Sequence, residues 1–397
     1  MRASQRRRHA FPEAPFSSER KDPALLPDPL SEAVLERGNK ALKFIHTGDV
    51  HWGMAPDSDK PWSRERARDI RETFAAIIGK AGELSVDFLF IAGDLFHRQP
   101  LLKDLKEVNY LFSTIPDVRI VMIAGNHDRV RKNSAVLSFN WAPNVTFLSD
   151  EEFSSAYFEE LHTEVTGFSY WTSEISEARL NDISAPDDGL IHILLGHGGD
   201  GKHVPIDKEG LLKSGFSYAA LGHIHKPEIS QSLRMAWCGS PEPLDKTETG
   251  RHGIIYGEIS ETSLRITNLE FIPMAKLQYI PLMVNVTPNT TNTELFLRMS
   301  QEIEKRGSEN IFRFRLKGMR DPDISFDLES LMMRYRIADI LDESEPQYDF
   351  SALFEEHPSD MIGFYIRALQ KPDMSPVEKK ALYYGIHALL LTTDERS

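Results

Sequence analysis

Five short apolar runs, residues 42–45, 88–92, 120–124, 191–195 and 218–221, each give way to a polar group suited to metal binding, and this repeated ending constrains the chain most. The second run leads into Gly93-Asp94-Leu95-Phe96-His97. The others lead into Asp49-Val50-His51, Gly125-Asn126-His127-Asp128, Gly196-His197-Gly198-Gly199 and Gly222-His223-Ile224-His225. Apolar runs of this length bounded by glycine read as buried strands. Ligands of an open α/β sheet gather outside the carboxyl ends of its strands. Five strand ends therefore bring Asp, His and Asn side chains to one edge.

The intervening pattern agrees with such a sheet. Residues 64–82 place Ile70, Phe74, Ile77, Ile78 and Ala81 on one helical face, and 102–112 also read as a helix. Strand, helix, strand, helix, strand is the start of a right-handed α/β unit. Short strands are expected within 145–168 and a helix at 174–181. Residues 234–239, 253–259 and 263–271 read as an antiparallel meander completing a second sheet. Near 275 the pattern changes to a small α+β module, and from 350 to helices, the last carrying a stripe of Leu382, Ile386, Leu389 and Leu390. That stripe either packs on its own domain or docks a partner. Four segments follow: 1–40, 41–274, 275–345 and 346–397.

Residues 1–40 carry Arg6-Arg7-Arg8 and then five prolines before Leu30, where a signal peptide would need an apolar stretch. They read as a disordered extension or a misplaced translation start, with a basic targeting or nucleic-acid arm as the alternative. The single cysteine, Cys238, excludes an internal disulfide framework and a cysteine-based zinc site, and suits a cytoplasmic protein. No run reaches the roughly 18–20 apolar residues that span a bilayer. A net charge of −14 argues against non-specific coating of nucleic acid, although positive charge need only be local. Arg98, Lys103, Arg129, Arg131, Lys132 and Lys202 form such a local set, either to counter a phosphodiester backbone or as ordinary surface groups. Trp52, Trp62 and Trp141 are expected in the core, with stacking on an unpaired base as the alternative.

Oxygen ligands mixed with imidazole suit Mn²⁺, Fe²⁺ or Zn²⁺, and a carboxylate can bridge two ions. Two ions about 3.5–4 Å apart can clamp the attacking and leaving oxygens of a phosphoryl displacement. The series Asp-x-His, Gly-Asp, Gly-Asn-His-Asp, Gly-His and Gly-His-x-His resembles the calcineurin-like metallophosphoesterase superfamily, with all five motifs in order. The resemblance implies a two-sheet α/β sandwich with a small C-terminal α+β cap and terminal helices. It implies that Asp49, His51 and His225 hold one divalent ion, that Asp94 bridges, and that Asn126, His197 and His223 hold the other. Mn²⁺ is the ion expected, with Fe²⁺ or Zn²⁺ as alternatives. His127 would sit over the scissile phosphate, and Asp128 would orient His127 by accepting its second N–H.

Gly93-Asp94-Leu95-Phe96-His97 and Cys238-Gly239-Ser240-Pro241-Glu242 are similar to the SbcD-type DNA repair exonucleases over about residues 42–270. In that branch His97 would contribute to exonuclease action, its alternative being a supporting role. The resemblance implies DNA as substrate, an SbcC-like coiled-coil ATPase as partner, and a homodimer. The rival reading keeps the metals and takes a nucleotide or other small phosphoester. Residues 276–397 match no cap of the family by motif.

Overall fold

The computed structural model describes residues 41–394 except Leu233; the expectation for residues 1–40 lies outside them. The chain runs β1 (Ala41–Thr47), α1 (Ser63–Glu83), β2 (Phe88–Ala92), α2 (Leu102–Ser113), β3 (Arg119–Ile123), α3 (Ala135–Ser138) and β4 (Val145–Phe147). It continues through β5 (Ser154–Phe158), β6 (Thr163–Gly167), β7 (Ile191–His197), α4 (Lys208–Lys213), β8 (Tyr218–Gly222), β9 (Glu228–Ser230) and β10 (Met235–Trp237) to β11 (Gly253–Ser260) and β12 (Ile266–Pro273).

Two six-stranded sheets result, ordered β12-β11-β1-β2-β3-β4 and β5-β6-β7-β8-β10-β9. Strands β1 to β4 are parallel, as are β6, β7, β8 and β10. Alternation along β2 explains the layering, because successive side chains of a strand point to opposite faces. Phe88 and Phe90 face the second sheet, packing in one core with Ile193, Leu195 and Tyr218. Leu89 and Ile91 face outward, under Phe74 and Ile77 of α1 and Leu105 and Val108 of α2. On the far side of the second sheet, Leu194 and Leu221 pack with Phe168, Leu180 and Leu211. The result is the expected two-sheet α/β sandwich. Both faces of its central strands are buried, which is why they read as unbroken apolar runs.

Two expectations are corrected. The 234–271 meander does not form one sheet: β10 extends the second sheet beside β8, whereas β11 and β12 extend the first through antiparallel pairing of β11 with β1. No helix forms over 174–181, where the described structure has a short 3₁₀ turn at Arg179–Asn181. There Ile175 spends its backbone groups on the 202–204 segment, donating to Lys202 and accepting from Val204.

Beyond residue 275, β13 (Tyr279–Val286), α5 (Asn292–Arg306), β14 (Ile311–Arg320), α6 (Glu329–Arg334), β15 (Ile337–Asp342) and β16 (Glu345–Pro346) form a separate parallel sheet with α5 packed on it. Helix α6 stops at Arg334, and Ile337 opens a strand. Helices α7 (Phe350–Glu356), α8 (Met361–Leu369) and α9 (Pro376–Asp394) close the described chain. Leu382 and Ile386 are buried against Ile362 and Ile366, so the inner part of the stripe packs on its own helices. Among the described residues no helix is long and apolar enough to cross a membrane.

Candidate metal centre

Parallel pairing of β1 with β2 sets their trailing loops side by side, and the ladder continues past both strands. The amides of Asp49, His51 and Trp52 donate to the carbonyls of Gly93, Asp94 and Leu95 at 3.0, 3.0 and 2.8 Å. Asp49, His51 and Asp94 take left-handed backbone conformations, with φ of 49°, 50° and 49°. His223 is also left-handed. Non-glycine residues pay for such conformations, so the clustering marks a functional edge.

The second sheet delivers His197 as the last residue of β7, in register with Gly222 at the end of β8. The sheets meet through His197 Nδ1, 2.8 Å from the Ala92 carbonyl, and through the His223 amide, which donates to both oxygens of Asp49 at 3.1 and 2.9 Å. The fit is tight enough to require glycine at 125, where a Cβ would lie 2.3 Å from Asp94 Oδ1 and 2.6 Å from His197 Nε2.

Four groups of donor atoms, each within 4.8 Å of one another, lie here among the described residues: Asp49, His51 and His225; Asp49, Asp94 and His197; His51, His97 and His127; and Asp200, His203 and His223. Asp94 Oδ2 stands 3.7 Å from His51 Nε2 and 3.4 Å from His197 Nε2, between the first two groups. The Asn126 side-chain oxygen lies 3.0 Å from His197 Nε2. This is a mixed carboxylate, amide and imidazole set of the kind that suits Mn²⁺, Fe²⁺ or Zn²⁺.

The field at this edge favours positive charge. Burial alone would raise the Asp94 pKa, but His197, His51 and His127 outweigh it and hold the group far below the usual carboxylate range. Burial opposes protonation of His197 and His225, yet Asp94 and Asp49 in the first case, Glu248 and Asp49 in the second, lift both to about 9. His51 is pushed well below its ordinary value, chiefly by burial. A site that draws protons onto two imidazoles would also draw divalent cations, with release of those protons.

Supporting partners fix ring orientation. Ala92 holds His197 through Nδ1, and Glu248 Oε1 holds His225 Nδ1 at 2.7 Å. Glu248 is itself held by Ser240 Oγ and the Leu244 amide, which gives the Gly239-Ser240-Pro241 turn a local purpose. Asp200 Oδ2 lies 2.9 Å from His223 Nε2, leaving Nδ1 as the nitrogen available for a ligand role, and His203 joins Asp200 at 3.0 Å. Sequence reasoning missed Asp200, His203 and Glu248. The only signal for Asp200 was the glycine-rich loop around it, and Glu248 follows His225 by 23 residues without a motif.

Asp128 departs from expectation. Its carboxylate accepts from the Gly125 amide at 2.8 Å and the Phe96 amide at 3.1 Å, tying the loop after β3 to the loop after β2. It does not accept from His127, whose Nδ1 lies 3.3 Å from the His97 carbonyl. Burial and then the Asp94 charge push the Asp128 pKa up to about 7. His127 is exposed, its ring stacked on His97 with centroids 5.3 Å apart. His97 Nδ1 reaches to 3.2 Å from His51 Nδ1. Trp52 and Trp62 are buried, and Trp141 packs on Phe112 and Phe139. None of the three is displayed as a free stacking platform.

The calcineurin-like phosphoesterase profile matches residues 42–227. These residues form a calcineurin-like metallophosphoesterase domain. The metallophosphoesterase YhaO of Bacillus subtilis is 27% identical over 304 residues, 70% of this chain and 72% of that protein. The DNA double-strand break repair protein Mre11 of Methanopyrus kandleri is 29% identical over 238 residues, 53% of this chain and 52% of that protein. Mre11 of Archaeoglobus fulgidus is 27% identical, with the same shares. The match thus spans about half the length of these two archaeal relatives. The match of residues 42–227 to this family, whose motifs fall on the donor cluster, supports a metal-dependent phosphoesterase.

Proposed function

We propose that the chain is a metal-dependent phosphodiesterase acting on DNA, of the SbcD type, with a dinuclear centre. The observation that carries this reading is the convergence of His51, His97 and His127 beside the Asp94 cluster, together with similarity to proteins named for double-strand break repair. Asp49, His51 and His225 would hold one ion, Asn126, His197 and His223 the other, and Asp94 would serve both; Mn²⁺ is the ion proposed. Bound ions would supply Lewis-acid charge to the phosphate and acidify the attacking water.

The chain's own residues do the rest. Asp128 keeps the Asn126-His127 turn against the Asp94 loop, so that His127 stands at the mouth of the site. From there His127 stabilises the phosphate and gives a proton to the departing oxygen, a role worth about 10²–10⁴-fold. His97, stacked on His127, keeps that ring in place or contacts the strand directly. We extend the proposal to an SbcC-like coiled-coil ATPase docking on the C-terminal helices, where Met361, Phe364, Val377 and Tyr384 are exposed, and to a homodimer.

The test is digestion of end-labelled linear duplex DNA in Mn²⁺, beside His127→Ala and a small phosphodiester. Laddering from the ends that falls at least 100-fold in the variant supports the proposal. Robust cleavage of the small diester with DNA untouched, also in the presence of the ATPase, would replace it with a small-phosphoester hydrolase.

A further inference from the structure

The loop after β7 brings a further donor cluster to the outer side of the metal edge. Donor atoms of Asp200, His203 and His223 lie within 4.8 Å of one another, and of the three only His223 is assigned to the dinuclear centre. Asp200 divides its carboxylate. Oδ1 accepts from the Lys202 and His203 amides at 2.8 and 2.9 Å, whereas Oδ2 meets the two rings, 2.9 Å from His223 Nε2 and 3.0 Å from His203 Nδ1. One contact to Asp200 is enough to set the His223 ring, so orienting His223 leaves the second imidazole unexplained.

The backbone is nevertheless strained to place His203. Val204 is left-handed, with φ 43°, a conformation that a β-branched residue rarely adopts. The Gly199 amide donates to the His203 carbonyl at 2.8 Å, and a Cβ on Gly198 would lie 2.5 Å from that oxygen, so the loop closes tightly on itself. Trp237 Nε1 donates to the Gly198 carbonyl at 2.8 Å and fixes the loop on the second sheet. The His203 ring is thereby held with its centroid 4.3 Å from that of His223. Two imidazoles and one carboxylate, with a fourth position left to water, are a zinc ligand set. Bonds of about 2.0–2.1 Å to a tetrahedral ion separate its donors by about 3.3 Å. Contacts of 2.9 and 3.0 Å therefore need to open by only a few tenths of an ångström, and the exposed Asp200 gives the ion a way in.

We infer that Asp200, His203 and His223 form an outer Zn²⁺ site that competes with the inner centre for His223. A neutral imidazole carries a proton on one ring nitrogen and a free lone pair on the other. When His223 gives Nε2 to the outer ion its proton sits on Nδ1, and Nδ1 is lost to an inner ion. The two uses of His223 exclude each other, so excess Zn²⁺ withdraws this ligand from the centre. The site itself stands apart from the phosphodiesterase reading; the inhibition that follows from filling it rests on that reading.

The test compares the full wild-type chain with His203→Gln and His203→Ala. Zn²⁺ affinity is measured against a chromophoric chelator at saturating Mn²⁺, and Mn²⁺ release by the electron paramagnetic resonance signal of the free ion. The same signal gives Mn²⁺ affinity without zinc, and hydrolysis of bis(p-nitrophenyl) phosphate is followed across the Zn²⁺ titration. Losing an outer hydrogen-bond partner costs about 10–100-fold in metal affinity, and losing a direct ligand costs no less. Zn²⁺ binding is therefore expected to weaken at least tenfold in both variants, with Mn²⁺ release and inhibition moving to higher Zn²⁺ by the same factor. The ratio of the Zn²⁺ to the Mn²⁺ dissociation constant should rise at least fivefold, because His203 ligates only the outer ion; a ring that merely props Asp200 would shift both alike. An unchanged ratio in both variants would overturn the outer site. Zn²⁺ binding that shifts while Mn²⁺ release does not would overturn the competition for His223. The expected zinc shifts in a chain that hydrolyses no phosphodiester in Mn²⁺ would keep the site and overturn the phosphodiesterase reading.

Discussion

Asp200 shows how a single exposed carboxylate can matter to a buried centre. It holds His223 through Nε2 and accepts from the Lys202 and His203 amides, so its aim is set by its own loop. Removing it should free the His223 ring without disturbing a core, because the Asp200 side chain is 46% exposed. Asp200→Ala is expected to weaken Mn²⁺ binding by about 10–100-fold, the usual cost of losing an outer hydrogen-bond partner, while the urea midpoint stays within error. Calorimetric titration of Mn²⁺ into the metal-stripped variant checks this; unchanged affinity would sink the orienting role. At this scale the sequence was legible where a motif names the residue: Asp49, His51, Asp94, Asn126, His197, His223 and His225 come to one edge. It was not legible where the partner lies elsewhere in the chain. Asp128 follows His127, and the family resemblance pointed to a bond between them. The turn instead aims the carboxylate at the Gly125 and Phe96 amides, which depends on where the β2 loop lies.

Elements carry the centre by ending in the right place, and Gly222 is the clearest instance. A Cβ there would lie 2.2 Å from the Ala92 carbonyl oxygen, the same atom that His197 Nδ1 addresses. That obstacle is backbone in the middle of a sandwich, so the strand ends must separate. Gly222→Ala is expected to cost about 1–3 kcal/mol as an overpacked core does, and to lower kcat more than that loss implies, since His197 is displaced. Gly79, exposed within α1, provides the control: nothing lies within 4 Å of its added Cβ, and Gly79→Ala should stabilise by about 0.5–1 kcal/mol. Urea titration of both variants checks the pair, and equal effects would refute the steric argument. The strands that hold the centre were legible because burial on both faces makes them apolar throughout. The destination of β10, β11 and β12 was not, because an alternating pattern fixes which face is buried and leaves open which sheet edge the strand joins.

For the molecule as a whole, the two sheets must stay closed on each other, and His46 reports on that closure. It lies in β1, fully buried, with Nδ1 2.9 Å from the Tyr218 hydroxyl of β8 in the opposite sheet. Burial pushes its pKa from the ordinary 6.5 down to about 3, with only the Leu221 backbone contact working the other way. Above pH 6.5 the imidazole is neutral folded and unfolded, and contributes no pH dependence. Between about 6.5 and 3 the unfolded chain binds a proton that the folded chain refuses, so stability falls as pH falls, by about 1.4 kcal/mol per pH unit. At pH 5 this amounts to about 2 kcal/mol from one residue. Glutamine at this position can still meet the Tyr218 hydroxyl and does not titrate. His46→Gln is therefore expected to lose about 2 kcal/mol less than wild type between pH 7 and pH 5, whatever its stability at pH 7. Urea unfolding of both proteins at the two pH values measures that difference directly. If the two lose the same amount, His46 already accepts a proton in the folded sandwich, and acid lability must come from the carboxylates and histidines of the metal edge.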